Sequence, residues 1–442
     1  MTLPTPGASG SLRNNKDIVI DAAGLDITNL SPSDGFFIEG YEVGDWFGRS
    51  VGAGGDSNGD GYEDIVIGVA LSDISAGDAG AAYVIFGTAG TTRADIQVNS
   101  LGATDGFLIY GADAADYLGM TVDLTGDLNG DGYDEIVVVA SSDDTTVANG
   151  GTIYVIWGQA GSTRTDIDLS TFSASDGFKI LSQESGDSLG NTSYIDPQNA
   201  QYLDADGDFN GDGIDDLVIG HSASDQAGGD SGRVYVIFGQ TGATRTDVNL
   251  ASISGIGFEI TTGGAVGELL GHSVQFVGDF NGDGFNDLVV GAVRSDAVAG
   301  DAGQAYVIFG HAGPTFNTID LSALTNTEGF TISTSEAASW LGGSVGSSDV
   351  NGDGLTDVLI GNVASNSGYG DSGSVLVLYG YSSATYADVT FGSVAASSGF
   401  TIYGEGTSDF VAHAVEGVGD LNGDGIDDIL TSTWVDDEGG GD

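Results

Sequence analysis

An all-β fold built from repeated four-stranded units is predicted for this chain on three observations. A nine-residue pattern, D-x-N-G-D-G-x-x-[D/E], starts at Asp56, Asp127, Asp208, Asp279, Asp349 and Asp420, at intervals of 71, 81, 71, 70 and 71 residues. Around each copy lie short β-rich runs bounded by Gly and Asp, with no sustained 3.6-residue period. Gly reaches 76 residues against five Pro, which suits many tight turns between short strands. Four strands per unit, repeated six times, predict a β-propeller. A parallel β-helix has much shorter repeats, and tandem immunoglobulin-like sandwiches need about 100 residues and about seven strands each.

Taken in order, the chain divides into an N-terminal segment, 1–34, and a propeller, 35–442. The first unit opens on Gly35-Phe36-Phe37-Ile38 and continues through Phe47-Gly48, the acidic loop at 56–64, Ile65-Val66-Ile67-Gly68 and Tyr83-Val84-Ile85-Phe86-Gly87. The Gly-Phe-x-Ile run returns at Gly106, Gly177, Gly257, Gly329 and Gly399. The sixth unit passes its loop and ends at Asp442 before the third and fourth runs, while 17–21 and 35–38 supply two spare strands at the start. Pairing those strands with 409–434 would close six blades and remove open edges. The alternative is a fragment of a seven-bladed propeller.

Composition excludes several functions. Nine Lys+Arg against 65 Asp+Glu give a formal charge of −56, which argues against nucleic acid, whose binding rests on neutralising phosphate, and against anionic membranes. The hydrophobic fraction of 40% is too high for an acidic disordered chain. There are no Cys, so disulfides and thiolate metal sites do not arise. The supplied residues show no signal sequence and no apolar run of 18, and no membrane insertion is expected.

The repeated loop carries the chemistry. Oxygen groups at positions 1, 3, 5 and 9 and the carbonyl at position 7 can converge on one cation, and Gly at positions 4 and 6 permits the reversal. The six sets are Asp56, Asn58, Asp60, Tyr62 and Asp64; Asp127, Asn129, Asp131, Tyr133 and Glu135; Asp208, Asn210, Asp212, Ile214 and Asp216; Asp279, Asn281, Asp283, Phe285 and Asp287; Asp349, Asn351, Asp353, Leu355 and Asp357; and Asp420, Asn422, Asp424, Ile426 and Asp428. Hard oxygen donors without His or Cys select Ca²⁺, about six ions in all, which would bring the charge from −56 to −44. An EF-hand needs a bidentate Glu at position 12 and flanking helices, but Ile67, Val138, Ile219, Val290, Ile360 and Thr431 stand there. Glu135 is the one departure at position 9, and its extra methylene makes either bidentate or weaker binding the expectation.

These units resemble FG-GAP repeats, the calcium-binding propeller repeats of integrin α-subunits and of many bacterial surface proteins. Phe47-Gly48, the loop at 56–64, Ile67-Gly68-Val69-Ala70 and Tyr83 to Gly87 carry the resemblance, although no Pro stands in the GAP segment and Leu-Gly replaces Phe-Gly at 118–119, 189–190, 270–271 and 341–342. It implies a calcium-dependent adhesion or binding scaffold with no catalytic residues to transfer. We therefore expect an extracellular or cell-surface, monomeric, non-enzymatic module of a larger secreted bacterial protein, with a protein or carbohydrate ligand. A lectin-like module or a polysaccharide-degrading enzyme is the alternative.

Other features read as structural. Gly229-Asp230-Ser231-Gly232 and Gly370-Asp371-Ser372-Gly373 look like the surroundings of a serine nucleophile, but Ala79 and Ala302 hold the same place, so these are turns. Trp157 and Trp340 are expected between blades. Lys179 and the seven Arg read as scattered, and the four His as packing or surface. The third unit carries about ten extra residues within 191–204, where Tyr194, Asn199 and Tyr202 are candidates for a contact specific to that unit.

Overall fold

β-Branched and aromatic residues make up the strands, as in Ile65–Val69 and Thr152–Ile156, and Gly and Asp close them at both ends. The structure, a computed structural model, describes residue 31 and residues 35–433, apart from 91, 125, 187, 191–200, 226–228, 243, 314–315, 367–369 and 384.

Five sheets follow one antiparallel plan. In blade 1, Phe47–Ala53 pairs with Ile65–Val69, which pairs with Ala81–Ile85, which pairs with Gly106–Tyr110. Blade 2 uses Leu118–Leu124, Ile136–Ala140, Thr152–Ile156 and Gly177–Leu181. Blade 3 uses Leu203–Gly207, Asp216–His221, Arg233–Ile237 and Gly257–Thr261. Blade 4 uses Leu270–Val277, Asp287–Ala292, Gln304–Ile308 and Gly329–Ser333, and blade 5 uses Leu341–Ser348, Asp357–Asn362, Ser374–Leu378 and Gly399–Tyr403. A sixth unit contributes the hairpin Val415–Gly417 with Ile429–Thr431. No α-helix occurs among the described residues.

The phase of the repeat differs from the sequence reading. The Gly-Phe-x-Ile run closes the preceding blade, as the pairing of Ile85 with Gly106 shows, and does not open its own unit. A sequence period fixes repeat length, but only strand pairing fixes where one blade ends. A further strand then joins the outer edges of blades 1 to 4. The connection between the third and fourth strands of blade 2 lays Ile167–Asp168 parallel to the outer strand of blade 1, and Val248–Asn249, Ile319–Asp320 and Val389–Thr390 do the same for the next three. Those four outer edges are thereby covered by their neighbours, which blunts surfaces prone to aggregation.

Ile38–Glu39 pairs in this same parallel way with Ile96–Gln97, so it occupies the outer-strand place of a blade before blade 1. The closing strand expected at 17–21 lies outside the described residues, and the described part of the sixth unit is two-stranded.

The core is a series of seams between consecutive blades. Val66, Val84 and Phe107 of blade 1 pack with Val138, Tyr154 and Ile156 of blade 2, and matching clusters join blades 2–3, 3–4, 4–5 and 5–6. Two glycines make the closest approach possible. A Cβ on Gly68 would lie 2.0 Å from the Gly119 carbonyl oxygen of the next blade, and Gly119 itself has φ +87°. Gly220 with Gly271 and Gly291 with Gly342 repeat the contact at 2.1 Å. This packing accounts physically for the glycines of the Phe/Leu-Gly and Ile-Gly segments.

Candidate metal centre

The acidic loops join the first and second strands of each blade, and their backbone is organised by their own carboxylates. Asp56 Oδ1 accepts the N–H groups of Gly59 and Asp60 at 2.8 and 3.1 Å, and Oδ2 accepts that of Gly61 at 2.7 Å. Asp60 in turn accepts the N–H of Tyr62 at 3.0 Å. The same set recurs around Asp127, Asp279, Asp349 and Asp420, and Asp208 keeps two of its three bonds. Gly59 and Gly61 take φ +72° and +88°, conformations that side chains resist.

The position-9 acid sits beneath the loop. Asp64, Glu135, Asp216, Asp287 and Asp357 are fully buried. Each accepts an N–H from the glycine after the third strand, Gly87 at 2.8 Å, Gly158 at 3.3 Å, and Gly239, Gly310 and Gly380 at 2.9 Å. Each also accepts an N–H from position 2, as Leu128 gives Glu135 at 2.6 Å. Burial outweighs these bonds and raises the carboxyl of Asp64, pushes Glu135 up to about 9 and Asp287 to about 8, and lifts Asp216 and Asp357 to about 7.

The position-3 Asn completes the pocket. Asn129, Asn210, Asn281, Asn351 and Asn422 donate Nδ2 to the position-9 acid, between 2.8 and 3.4 Å at the nearer oxygen. The Oδ1 atoms of Asn58, Asn129 and Asn281 are buried and accept nothing from the protein. Buried orphan acceptors and buried carboxylates are costly unless a cation completes them. In the second loop Asp127, Asp131 and Glu135 offer oxygens within 4.8 Å of one another, the one such cluster of three acids among the described residues. The extra methylene of Glu135 therefore brings the acids together. This all-oxygen donor set fits Ca²⁺. Of the six sets the sequence predicts, the structure brings the acids at positions 1, 5 and 9 within 4.8 Å of one another in the second. In all six loops the N–H at position 7 donates to the Asp at position 5.

Sequence reasoning missed what holds each loop to the next blade. Position 8 supplies latches: Asp134 Oδ2 accepts the N–H of Asp56 at 2.6 Å, Asp215 that of Asp127 at 2.9 Å, and Asp427 that of Asp349 at 3.2 Å. Carbonyls of Ser57 and Asn58 accept N–H groups of Gln159 and Gly161 in blade 2, and the bonds recur at the next three seams. The acids at position 8 of the second, third and sixth loops were the available signal.

Two expectations are corrected. Arg93, Arg164 and Arg245 are not scattered: they share one register and lie 5.1, 4.7 and 4.8 Å from the rings of Phe36, Phe107 and Phe178 on the preceding outer strand. Phe316 and Tyr386 take that register in blades 4 and 5 and stack on Phe258 and Phe330. Burial lowers Arg164 and Arg245 to about 10. Tyr202 is no surface contact, being 2% exposed with its ring edge-on to His272. Tyr194 and Asn199 lie outside the described residues. Ser231 is also buried and its hydroxyl goes to the Ser224 carbonyl at 3.2 Å, as a turn residue's would.

Successive antiparallel four-stranded sheets, each with an acidic loop between its first two strands, define a β-propeller. The FG-GAP repeat model matches residues 47–85, 118–156, 205–237, 270–308 and 341–378, so the chain carries five FG-GAP repeats. The match begins at the inner strand, in the phase the sheets show, and the loop at 420–428 keeps the same hydrogen bonds beyond it. Phosphatidylinositol-glycan-specific phospholipase D of Bos taurus is 34% identical over 181 residues, 40% of this chain and 20% of that protein. A chain in the crystal structure of BBS1N in complex with ARL6DN, soaked with lead, aligns over 84% of this chain and 72% of its own, with TM-score 0.35 and 11% identity. No helix among the described residues is long and apolar enough to cross a membrane.

Proposed function

We propose that the protein is a calcium-stabilised, extracellular binding or adhesion scaffold that holds a protein or carbohydrate ligand and performs no turnover. The observation that carries this reading is the placement of the repeated chemistry. In every seam from blade 1 to blade 5, the oxygen-rich loop of one blade also accepts backbone N–H groups of the next. Cation binding there would tighten the joint between blades, in keeping with a mechanical role.

Asp56, Asn58, Asp60 and Asp64 and their equivalents would hold the ion, and the ion would neutralise carboxylates that burial leaves expensive to ionise. The FG-GAP family and an acidic, oxygen-only donor set support this assignment. Recognition is assigned to the loops that vary between units, first the insertion at 191–204, because identical surfaces cannot give one blade a partner of its own.

A glycan array and a polysaccharide-cleavage assay, each run with calcium and with chelator, test the reading. Calcium-dependent capture without cleavage is expected. Turnover of any polysaccharide would replace the scaffold reading with an enzymatic one.

A further inference from the structure

Because the sheets are antiparallel meanders, the connections between second and third strands lie at the end opposite the acidic loops. At that end each blade carries a buried polar node. Ser72, Ser224, Ser295 and Ser365 hold one register in blades 1, 3, 4 and 5, and Asp143 replaces them in blade 2.

Blade 4 shows the node fully satisfied. Gln304 Oε1 accepts the Ser295 hydroxyl at 2.6 Å and the Tyr306 hydroxyl at 2.9 Å. Blade 2 keeps the tyrosine as Tyr154 but has Thr152 in the place of Gln304. Asp143 Oδ2 accepts the Tyr154 hydroxyl at 3.2 Å, and Oδ1 accepts the N–H of Thr145 at 2.5 Å. A second carboxylate, Asp116, comes from the connection ahead of the inner strand, where its backbone carbonyl accepts the N–H of Ser142, the chain neighbour of Asp143, at 3.2 Å. Asp116 and Asp143 are 6% and 2% exposed, and neither forms an ion pair among the described residues.

Thr152 is 0% exposed and its hydroxyl has no partner. Gln304 shows where a side chain at this register points, toward the residue in the place of Asp143 and the tyrosine hydroxyl. Thr152 stands at the same register with a shorter side chain, two residues before Tyr154 on the same face of its strand. Two buried carboxylates and a buried hydroxyl oxygen with no partner are the makings of a hard-cation site. Lys179 Nζ, 5.0 Å from the Tyr154 ring, lies over the ring face.

We propose that Asp116, Asp143 and Thr152 form a cation site at the seam of blades 1 and 2, separate from the acidic loops, that takes a Ca²⁺-type divalent ion. The carboxylates supply charge, the threonine hydroxyl a neutral ligand, and the tyrosine hydroxyl orients Asp143.

Two measurements test it. Bound Ca²⁺ per chain, counted by equilibrium dialysis and elemental analysis, should fall by one in D143S, which installs the residue of the other four blades. It should also fall by one in the separate variant T152Q, which replaces the hydroxyl with the amide side chain that blade 4 uses. Folded variants that bind as many ions as the wild type would overturn the site. Should neither variant fold, crystals of the wild-type protein grown in Ca²⁺ decide. An anomalous peak between Asp116 and Asp143 supports the site, and a water or a direct carboxyl–carboxyl contact there, with peaks in the loops, overturns it.

Discussion

At the scale of single residues, the position-9 acids explain why a cation would stabilise the loops. Five of them are wholly buried, and burial raises Glu135 to about 9, Asp287 to about 8 and Asp216 and Asp357 to about 7. A carboxyl whose folded pKa is raised stabilises the fold fully below its unfolded pKa, near 4, and loses that contribution as pH rises through the folded value. Chelated protein should therefore lose melting temperature steadily between pH 5 and 9, whereas calcium-loaded protein, with the acids ionised against metal, should not. Scanning calorimetry in EDTA and in Ca²⁺ across that range checks this, and parallel curves would contradict it. Within the second loop, Glu135→Gln removes one of three converging carboxylates and should weaken Ca²⁺ binding at that site by about tenfold or more, roughly 1.4 kcal/mol, measured by titration. The donor types at positions 1 to 9 were legible in the sequence because spacing alone places them. The latches at position 8 were not, since their partners lie in another blade.

At the scale of elements, inter-blade packing decides which substitutions the seams tolerate. Gly68→Val would drive side-chain atoms into the Gly119 backbone and should cost about 1–3 kcal/mol or more, while Gly77→Ala, with its nearest neighbour 4.0 Å away, should be near neutral. Denaturant melts of the pair distinguish a packing constraint from a general intolerance of the repeat. Arg164 lies over Phe107 and is mostly buried, so Arg164→Ala should cost on the order of 2 kcal/mol. Arg164→Phe should recover much of it, because Phe316 fills that register in blade 4. Recovery no better than alanine would show that the charge matters, not the stacked surface. The spacing from Arg93 to Arg164 equals the repeat length, so this post was readable. It escaped because blades 4 and 5 use aromatics, and a register shared by Arg, Phe and Tyr looks like no pattern until the common ring surface is seen.

At the scale of the whole molecule, the sequence announced repeat length and strand number, because both depend on local residues recurring at one period. It did not announce phase. The Gly-Phe-x-Ile strand belongs to the blade before, and only the pairing of Ile85 with Gly106 reveals this. Nor did it reveal that each blade lends a strand to its predecessor, since Ile167–Asp168 is two residues long and carries no strand signal of its own. Such a chain of seams makes stability a sum of blade and interface terms, so one weakened staple should be felt by both neighbours. Calcium at 100 times its dissociation constant would add roughly 2.7 kcal/mol per independent site.

Thermal unfolding of the protein at neutral pH, with saturating Ca²⁺ and after chelation with EDTA, tests the central claim most directly. A melting temperature that rises by several degrees or more with calcium, in parallel with a titration showing multiple ions bound per chain, is the predicted result. Identical melting temperatures with and without EDTA would contradict the view that the acidic loops are metal staples between blades.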